Sequence, residues 1–342
     1  MNSPMRHVET VRHASAGQPL PAVPVAEAVA LNLCAVVMAM REDEPMVAVI
    51  GNGGSEAASL PCGPFAPSEH TSLKDGLARL IERSTGLRIH NSQSLGTFGD
   101  GVLPQPRGDA APVQALPLVS LCYLSLLPPD KAEDRGPLSW ASWYDVFPWE
   151  DFRNGKPACL TDVIEPALAT WAQAGNDTVI SPSRLNRSQR VRIAFGADGR
   201  GWDEEKVVER YDLLTEAGLV GEAAKPALGR PLWNPALGHH ARVLASAIAD
   251  LRRSIKSRPD VFELMPELFT LFELQKTVEG ILGPHLHKQN FRRLVEGEGL
   301  VEPTDEHRQR TGGRPARLYR FRRSVLLERP APGVRLKPGR AA

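Results

Sequence analysis

The chain has 342 residues, of which 42% are hydrophobic and 24% charged, and its net charge is +1. This length exceeds what one hydrophobic core usually organises, so we expect two domains, and the composition excludes a largely disordered chain. No apolar run is long enough to span a bilayer, and the N-terminal stretch lacks the apolar segment of a signal peptide, so a cytoplasmic location is expected. The four cysteines form no CxxC pair and are expected to be reduced core thiols.

Charge is distributed unevenly along the chain. From His285 to the C-terminus there are 14 basic and 6 acidic residues, a net charge of +8, which leaves −7 for the rest. Such asymmetry indicates a basic C-terminal module that binds a polyanion.

The N-terminal half shows a mixed pattern of strands and helix. Apolar runs at 28–40 and 45–51 flank a charged turn and predict a hairpin. The segments 94–100 and 116–127 predict a second pair of strands around a Pro/Gly-rich loop. Together with the helix between the two pairs, this order indicates a mixed α/β domain.

That helix is predicted from apolar residues at helical spacing between Leu73 and Ile81. Thr71 or Ser72 is expected to cap its start, and Gly86 to end it in the left-handed conformation.

The middle of the chain, from 128 to 238, contains two predicted helices, at 160–173 and 202–220, and no motif with a recognisable chemistry. From His239 a single amphipathic helix runs until Pro259 and is expected to connect the two domains. The adjacent His239 and His240 fit a surface helix start better than a metal site and are given no role.

The C-terminal segment predicts a winged helix. Thr270 and Glu273 form a capping box for a first helix that ends at Gly283, and a second short helix follows a tight turn. Strand-like segments at 300–304 and 316–321 flank a basic, Gly-rich connection that has the character of a wing.

Side chains of the second helix and the wing have the chemistry for DNA. Arginine and lysine neutralise phosphates and pair with guanine, whereas Gln and Asn make two hydrogen bonds to adenine. The predicted DNA-binding residues are His287, Lys288, Gln289, Asn290, Arg292 and Arg293 on the helix and Arg310, Gly312, Gly313 and Arg314 in the wing.

Residues 60–87 resemble a Nudix box, G-x5-E-x7-R-E-U-x-E-E-x-G-U, in which U is aliphatic. The matching positions are Arg79, Ile81, Gly86 and Leu87. Leu80, Arg83 and Ser84 stand where the pattern has glutamates, and the segment from Gly63 is longer than the pattern. In Nudix hydrolases these glutamates hold the divalent cations that activate water, so the resemblance implies a domain without a metal site or ordinary hydrolase activity. Asp75 and Glu82, seven residues apart, are better explained as solvated helix carboxylates than as a residual site.

A degenerate Nudix box followed by a winged helix resembles the Nudix-related transcriptional regulators of NAD metabolism, the NrtR family, and especially the alphaproteobacterial NAD regulators. The resemblance also rests on residues 261–304 and on GGRPARLYRF at 312–321. It implies a homodimer that represses genes of NAD synthesis or salvage by binding operator DNA. It also implies an NAD-related effector, such as ADP-ribose or NAD, and no other cofactor. Arg79, Phe98 and Asp100 are candidate effector-binding residues, although each also fits a structural role.

The expected fold is therefore a Nudix-like α/β/α sandwich with a mixed sheet plus a C-terminal winged helix-turn-helix. The predicted units are a disordered tail at 1–25, a ligand-sensing domain at 26–255, a winged helix at 257–325 and a flexible basic tail at 326–342. The sensing domain would include a helical insertion at about 140–238, absent from shorter family members, and the connecting helix at 239–256.

Two other functions remain open from the sequence. An active nucleotide hydrolase would require a metal site that the box does not supply. A non-enzymatic adaptor that uses the winged helix for protein contact would not require the basic cluster at 288–293 and would not bind DNA.

Overall fold

The computed structural model describes residues 29–51, 58–102, 117–174, 185–221, 237–238, 240–309, 315–329 and 332–334, with the backbone alone at 100–102 and 117. The predicted N-terminal tail, the tip of the wing and much of the basic C-terminal tail lie outside the described residues. No helix in these ranges is both long and apolar enough to cross a membrane.

The described strands are β1 (Ala30–Arg41), β2 (Glu44–Ile50), β3 (Cys62–Pro64), β4 (Gln93–Val102), β5 (Pro117–Leu126), β6 (Leu138–Ser142), β7 (Val301–Arg308) and β8 (Ala316–Phe321). The α-helices are α1 (Leu73–Thr85), α2 (Trp143–Val146), α3 (Glu165–Ala174), α4 (Arg187–Ala194), α5 (Val207–Glu216), α6 (His240–Ser257), α7 (Leu271–Leu282), α8 (Lys288–Gly297) and α9 (Val325–Glu328). Single turns of 3-10 helix lie at Pro129–Lys131, Pro148–Glu150 and Asp260–Leu264, and a π-helical turn, Leu160–Ile164, leads into α3.

Strands β1 to β6 form one mixed sheet in the order β4–β5–β1–β2–β6, and β3 pairs with the start of β1. β1 and β2 pair antiparallel as the predicted hairpin, and β4 pairs antiparallel with β5. The β1–β5 pair is parallel, which makes the sheet mixed as expected. A parallel pair is buried on both faces, and the continuous apolar run of β1 satisfies this requirement.

The two faces of the sheet are covered by different helices. On one face, Leu33, Ala35 and Val37 pack with Leu77 and Ile81 of α1. On the other face, the alternate residues of β1 pack in a larger cluster that contains buried residues of α5, α6 and α7. This layering confirms the predicted α/β/α sandwich.

Helix α1 has the predicted ends. The Ser72 hydroxyl accepts a hydrogen bond from the Asp75 N–H at 3.1 Å, and Gly86 adopts φ 71°. A left-handed residue at this place lets the helix stop without the steric cost that a Cβ would impose.

The segment at 140–238 joins the main core. Trp143, Phe147 and Trp149 are at most 1% exposed within the larger cluster. The two helices predicted here are present, although α5 begins at Val207, five residues later than expected. Strand β6 and helix α4 were not predicted, because α4 is polar and β6 is only five residues long.

The expectation of four reduced cysteines is wrong for two of them. Cys34 on β1 and Cys62 on β3 form a disulfide, whereas Cys122 and Cys159 are free. The antiparallel pairing of β1 with β3 places the first two directly opposite each other, a contact that their 28-residue separation does not reveal.

Candidate nucleic-acid interface and ligand cleft

Helices α7 and α8 form the predicted helix-turn-helix. Thr270 and Glu273 cap α7 reciprocally, with the Glu273 N–H donating to the Thr270 hydroxyl and the Thr270 N–H donating to the Glu273 carboxylate. Phe291 and Val295 anchor α8 in the core with 2% and 0% exposure. Because these two residues lie four apart, they fix which face of α8 points to solvent.

The outer face of α8 carries the six helix residues predicted to bind DNA, and all six are exposed. They are His287, Lys288, Gln289, Asn290, Arg292 and Arg293. Arg292 pairs with Glu296 at 3.2 Å within the helix. Lys288 and Arg293 form no ion pair with any residue that the structure describes, so their charges are available to an external anion.

The turn before α8 is held by Glu279, which sequence reasoning missed. This carboxylate is 4% exposed on its side chain and accepts a hydrogen bond from the Leu286 N–H at 3.0 Å. It also contacts Lys276 and His285, each at 3.1 Å, and Gln275 at 2.8 Å. Burial alone would raise the pKa of Glu279, but these hydrogen bonds outweigh burial and lower the pKa below its usual range. The sequence signal that could have predicted this role is an acidic residue within the apolar stripe of α7.

The wing strands β7 and β8 pair antiparallel as predicted. Phe269, just before α7, exchanges two backbone hydrogen bonds with Tyr319 of β8, at 3.0 and 2.7 Å. Arg308 at the end of β7 pairs with Glu273 of the capping box. The four predicted wing-tip residues, Arg310, Gly312, Gly313 and Arg314, lie outside the described residues.

Helix α7 also packs directly against the sheet domain. A Cβ at Gly280 would lie 2.8 Å from the carbonyl oxygen of Asp43, in the turn between β1 and β2. The Tyr144 hydroxyl donates to the Gly280 carbonyl at 2.8 Å. Glycine is therefore needed at this place for the helix to approach the hairpin backbone.

A buried ion cluster lies beside this contact. Glu150, Arg210 and Arg252 are 1%, 0% and 0% exposed. Arg210 makes two hydrogen bonds to the Glu150 carboxylate, at 2.6 and 2.8 Å, and Arg252 makes one at 2.7 Å. Burial opposes the charge on Glu150, but the two guanidinium groups outweigh it and lower the pKa of this carboxyl.

A cleft of about 340 Å³ lies along α1 and is lined by Glu69, His70, Arg79, Glu82 and Arg83. Arg79 is held by Asp75 at 2.9 Å, and Glu82 pairs with Arg88 at 2.7 Å. Arg83 makes no ion pair among the described residues, which leaves one uncommitted cation in the cleft.

The positions that carry glutamates in a Nudix box have other environments here. Leu80 packs against the α1-side core, and the Ser84 hydroxyl donates to the Leu80 carbonyl at 2.7 Å. The two remaining carboxylates of α1, Asp75 and Glu82, each pair with a different arginine, Arg79 and Arg88. Hydrogen bonds from Arg79 and the Thr71 N–H lower the pKa of Asp75.

Two of the three candidate effector residues, Arg79 and Phe98, lie on different sides of the sheet. Arg79 lines the cleft on α1, whereas Phe98 of β4 is half-buried against the core on the opposite face of the sheet. Asp100 lies in β4, and the structure describes only its backbone.

Comparison with known proteins supports the assignment of the C-terminal domain. Residues 261–321 match the family model of the NrtR DNA-binding winged helix domain. A protein of Acinetobacter baylyi described as an ADPR responsive transcriptional repressor is 45% identical over 86 residues. This match covers 25% of the present chain and 34% of that protein, so the chain spans about a third of the length of its curated relative.

The chain also matches solved structures, and two of these matches have the following scores. The Shewanella oneidensis NrtR in complex with a 27mer DNA has a TM-score of 0.47 at 17% identity, covering 86% of this chain and 94% of that one. A MutT/nudix family protein from Enterococcus faecalis has a TM-score of 0.45 at 15% identity, covering 89% and 90%. The family match and the α7–α8–β7–β8 geometry agree on one conclusion: residues 261–321 are a winged helix domain of the NrtR DNA-binding family.

Proposed function

We propose that the protein is a transcriptional repressor that binds operator DNA through α8 and its wing and senses an NAD-related nucleotide, such as ADP-ribose or NAD, in its sheet domain. The observation that carries the proposal is the exposed polar face of α8, anchored by Phe291 and Val295 in a domain of a DNA-binding family. The Acinetobacter relative, described as an ADPR responsive transcriptional repressor, supports a repressor that responds to ADP-ribose. The regulated genes would be those of NAD biosynthesis or salvage.

Two copies of the chain would bind one operator. A winged helix places one recognition helix in a major groove, and a dimer reads two half-sites that are one helical turn or a multiple apart. Lys288 and Arg293, which lack intramolecular ion pairs in the described ranges, are the best candidates for phosphate or base contacts. Arg292 is paired with Glu296, so this ion pair must break or be shared before Arg292 can contact DNA.

DNA binding is tested with promoter fragments at fixed salt concentration. Lys288→Ala/Arg293→Ala removes two unpaired cations. For each lost base contact, the free energy of DNA binding should weaken by about 1–3 kcal/mol. For each lost phosphate contact, the slope of the log binding constant against the log salt concentration should decrease by about 1. The matched control is Arg135→Ala/Lys156→Ala, which removes the same charge from exposed positions of the sheet domain and should leave affinity unchanged. Equal loss in both variants, or no selective binding by the wild type, would contradict the proposal.

The cleft on α1 is the proposed effector site. Its volume of about 340 Å³ lies at the lower end of the roughly 300–1,000 Å³ range of ligand pockets. Arg83 offers a free cation to the diphosphate of ADP-ribose, and Arg79 and His70 lie beside it. A charge-assisted hydrogen bond contributes about 1.5–3 kcal/mol, so Arg83→Ala should weaken ADP-ribose binding about tenfold or more. Calorimetric titration measures this, with Arg135→Ala as control; unchanged affinity of Arg83→Ala would place the site elsewhere.

We also propose that the protein is not a nucleotide hydrolase. Leu80, Arg83 and Ser84 supply no carboxylate, and hard divalent cations require oxygen ligands of this kind. Incubation with ADP-ribose and excess magnesium or manganese should release no AMP, and rapid release would overturn this part of the proposal.

A further inference from the structure

The disulfide between Cys34 and Cys62 has two unequal ends. Cys34 on β1 is 1% exposed, whereas Cys62 on β3 is half-buried and is therefore the more accessible residue of the pair. Thiol–disulfide exchange starts with attack on an accessible sulfur. An external thiolate would therefore attack at Cys62 and leave Cys34 as the departing group.

His240, the first residue of α6, lies beside this accessible sulfur. Its Nε2 is 3.6 Å from the Cys62 Sγ, and its Nδ1 accepts a hydrogen bond from the Leu60 N–H at 3.3 Å. Because Nδ1 acts as an acceptor, the neutral ring carries its proton on Nε2 and presents an N–H to the sulfur. A donor at this place stabilises the Cys62 thiolate, the form that takes part in exchange.

The same hydrogen bond argues against a metal site. Cys34, Cys62 and His240 are the group within the described ranges whose ligand atoms lie close enough to share an ion. A metal-binding histidine presents its unprotonated nitrogen to the metal and donates its other N–H to an acceptor. Here the second nitrogen faces the Leu60 donor instead, so the arrangement suits a cysteine pair better than a cation.

The other two cysteines differ from this pair. Burial raises the pKa of the Cys122 thiol to about 12, and burial is also the main cause that raises the pKa of Cys159 to about 11. Thiols with such high pKa values are almost entirely protonated at neutral pH and exchange slowly.

The pair lies between α1 and α6, the helix that leads to the winged helix. Gly63, next to Cys62, packs so closely against Leu80 of α1 that a Cβ there would lie 2.6 Å from the leucine side chain. On the other side, Leu60 and Cys62 contact His240. Loosening β3 therefore changes the packing of α1 and the support of the first turn of α6.

We propose that Cys34 and Cys62 form a reversible thiol–disulfide switch that fixes β3 to β1 and to the start of α6, and that it responds to small thiol/disulfide couples of the glutathione class. In reduction, a glutathione thiolate attacks Cys62 Sγ, breaks the Cys34–Cys62 bond and leaves a mixed disulfide at Cys62, while Cys34 departs and takes up a proton. A second glutathione thiolate attacks the glutathione sulfur of the mixed disulfide, so that oxidised glutathione leaves and Cys62 becomes a thiolate stabilised by His240. Oxidation is the exact reverse. The switch does not depend on the proposed DNA or nucleotide binding.

The test is a titration of the full-length protein with reduced and oxidised glutathione. Samples are quenched with acid, denatured and alkylated, and the number of alkylated thiols is read from the intact mass. We expect a single transition between two and four alkylated thiols, reached from both directions. Cys62→Ser should abolish the transition, and the matched control Cys159→Ser should keep it. Four alkylated thiols at every ratio would overturn the proposal.

Hydrogen exchange tests the structural consequence. Peptides from 58–64 and 240–250 should exchange several-fold faster in the reduced protein than in the oxidised protein, whereas α8 should not change. Equal rates in the two forms would show that the bond does not fix β3 or the start of α6, and would overturn the switch. One equivalent of zinc bound by the reduced protein and protecting it from oxidation would replace the switch with a metal site.

The role of His240 has its own readout. Removing the N–H donor with His240→Ala destabilises the thiolate, so at a given glutathione ratio a larger fraction of the protein should be oxidised, with a several-fold shift of the midpoint. His240→Gln keeps an N–H donor, so its midpoint should lie between those of the wild type and His240→Ala. A midpoint that is the same in wild type and both variants would exclude a positioning role for His240.

Discussion

Arg252 on α6 donates from Nε to the carbonyl oxygen of Ile281 on α7 at 2.8 Å, and the same guanidinium contacts Glu150. One side chain thus joins the connecting helix, the sheet domain and the first helix of the winged helix domain. All these groups are buried, so the contact acts where water cannot weaken it.

Replacing Glu150 should destabilise the whole protein. Glu150→Gln leaves Arg210 and Arg252 buried without a counter-charge, and breaking a buried ion pair in this way costs about 3–5 kcal/mol. Urea denaturation measures the change in the free energy of unfolding. Glu216→Gln is the matched control, since its pair with Arg190 is 36–45% exposed, and pairs of this kind contribute about 0–1 kcal/mol. Similar losses in both variants would contradict the importance of burial.

The carboxylates of Glu150 and Glu279 predict that the stability of the protein depends on acid. The folded-state pKa values of Glu150 and Glu279 are lowered, so their contribution to stability is present above the unfolded pKa of about 4.3 and is lost as pH falls through the folded values. The free energy of unfolding should therefore decrease below about pH 4.5, by up to about 1.4 kcal/mol per pH unit for each proton. Denaturation curves between pH 7 and 3 measure this slope. Glu150→Gln should flatten it, and an unchanged slope would assign the acid sensitivity to other groups.

Glu279 offers a test of positioning within the helix-turn-helix. Glu279→Ala frees the Leu286 N–H and the turn before α8, so DNA affinity should decrease although a negative charge has been removed. Electrostatics alone predicts the opposite change. Glu296→Ala is the control, because it removes a negative charge from the exposed side of α8, releases Arg292 and should keep or increase affinity. Tighter binding by both variants would exclude a positioning role for Glu279.

Gly280 should not tolerate a side chain. Alanine normally favours a helix over glycine, but here its Cβ would meet the Asp43 carbonyl at 2.8 Å and Met40 at 3.1 Å. We expect Gly280→Ala to lower the free energy of unfolding by about 1–3 kcal/mol, as for overpacked cores. Gly297→Ala, with nothing within 4 Å of the new Cβ, should be neutral or stabilise by up to about 1 kcal/mol. Thermal denaturation compares the two variants. Equal effects would show that the turn between β1 and β2 moves to make room for the new Cβ.

Local signals predicted much of the fold. The capping residues Ser72 and Thr270 and the apolar spacing of α1, α6 and α7 lie within a few residues of the elements they define, so the sequence was sufficient for them. The exposed face of α8 followed from the same periodicity, since burying Phe291 and Val295 leaves the basic residues outside.

Contacts between distant parts of the chain were not predictable in this way. Glu150, Arg210 and Arg252 are charged residues that sequence reasoning places at the surface, and their burial depends on three elements meeting in space. The Cys34–Cys62 pair depends on the register of β1 with β3. Arg79 on α1 and Phe98 on β4 lie on opposite sides of the sheet, and the sequence pattern alone does not show which side a residue faces.

Helix α7 holds the wing at one end and α8 at the other. Glu273 in its first turn binds Arg308 of β7, and Glu279 in its last turns binds the turn that leads into α8. Glu273 and Glu279 are six residues apart, so they are about 9 Å apart along the helix axis. The geometry of the helix fixes this spacing. The wing strands and the recognition helix are therefore held as one rigid unit, at a fixed distance from each other. In the proposed repressor, a ligand bound to the sheet domain would move this unit relative to a second copy, and each copy would keep the same contacts with DNA.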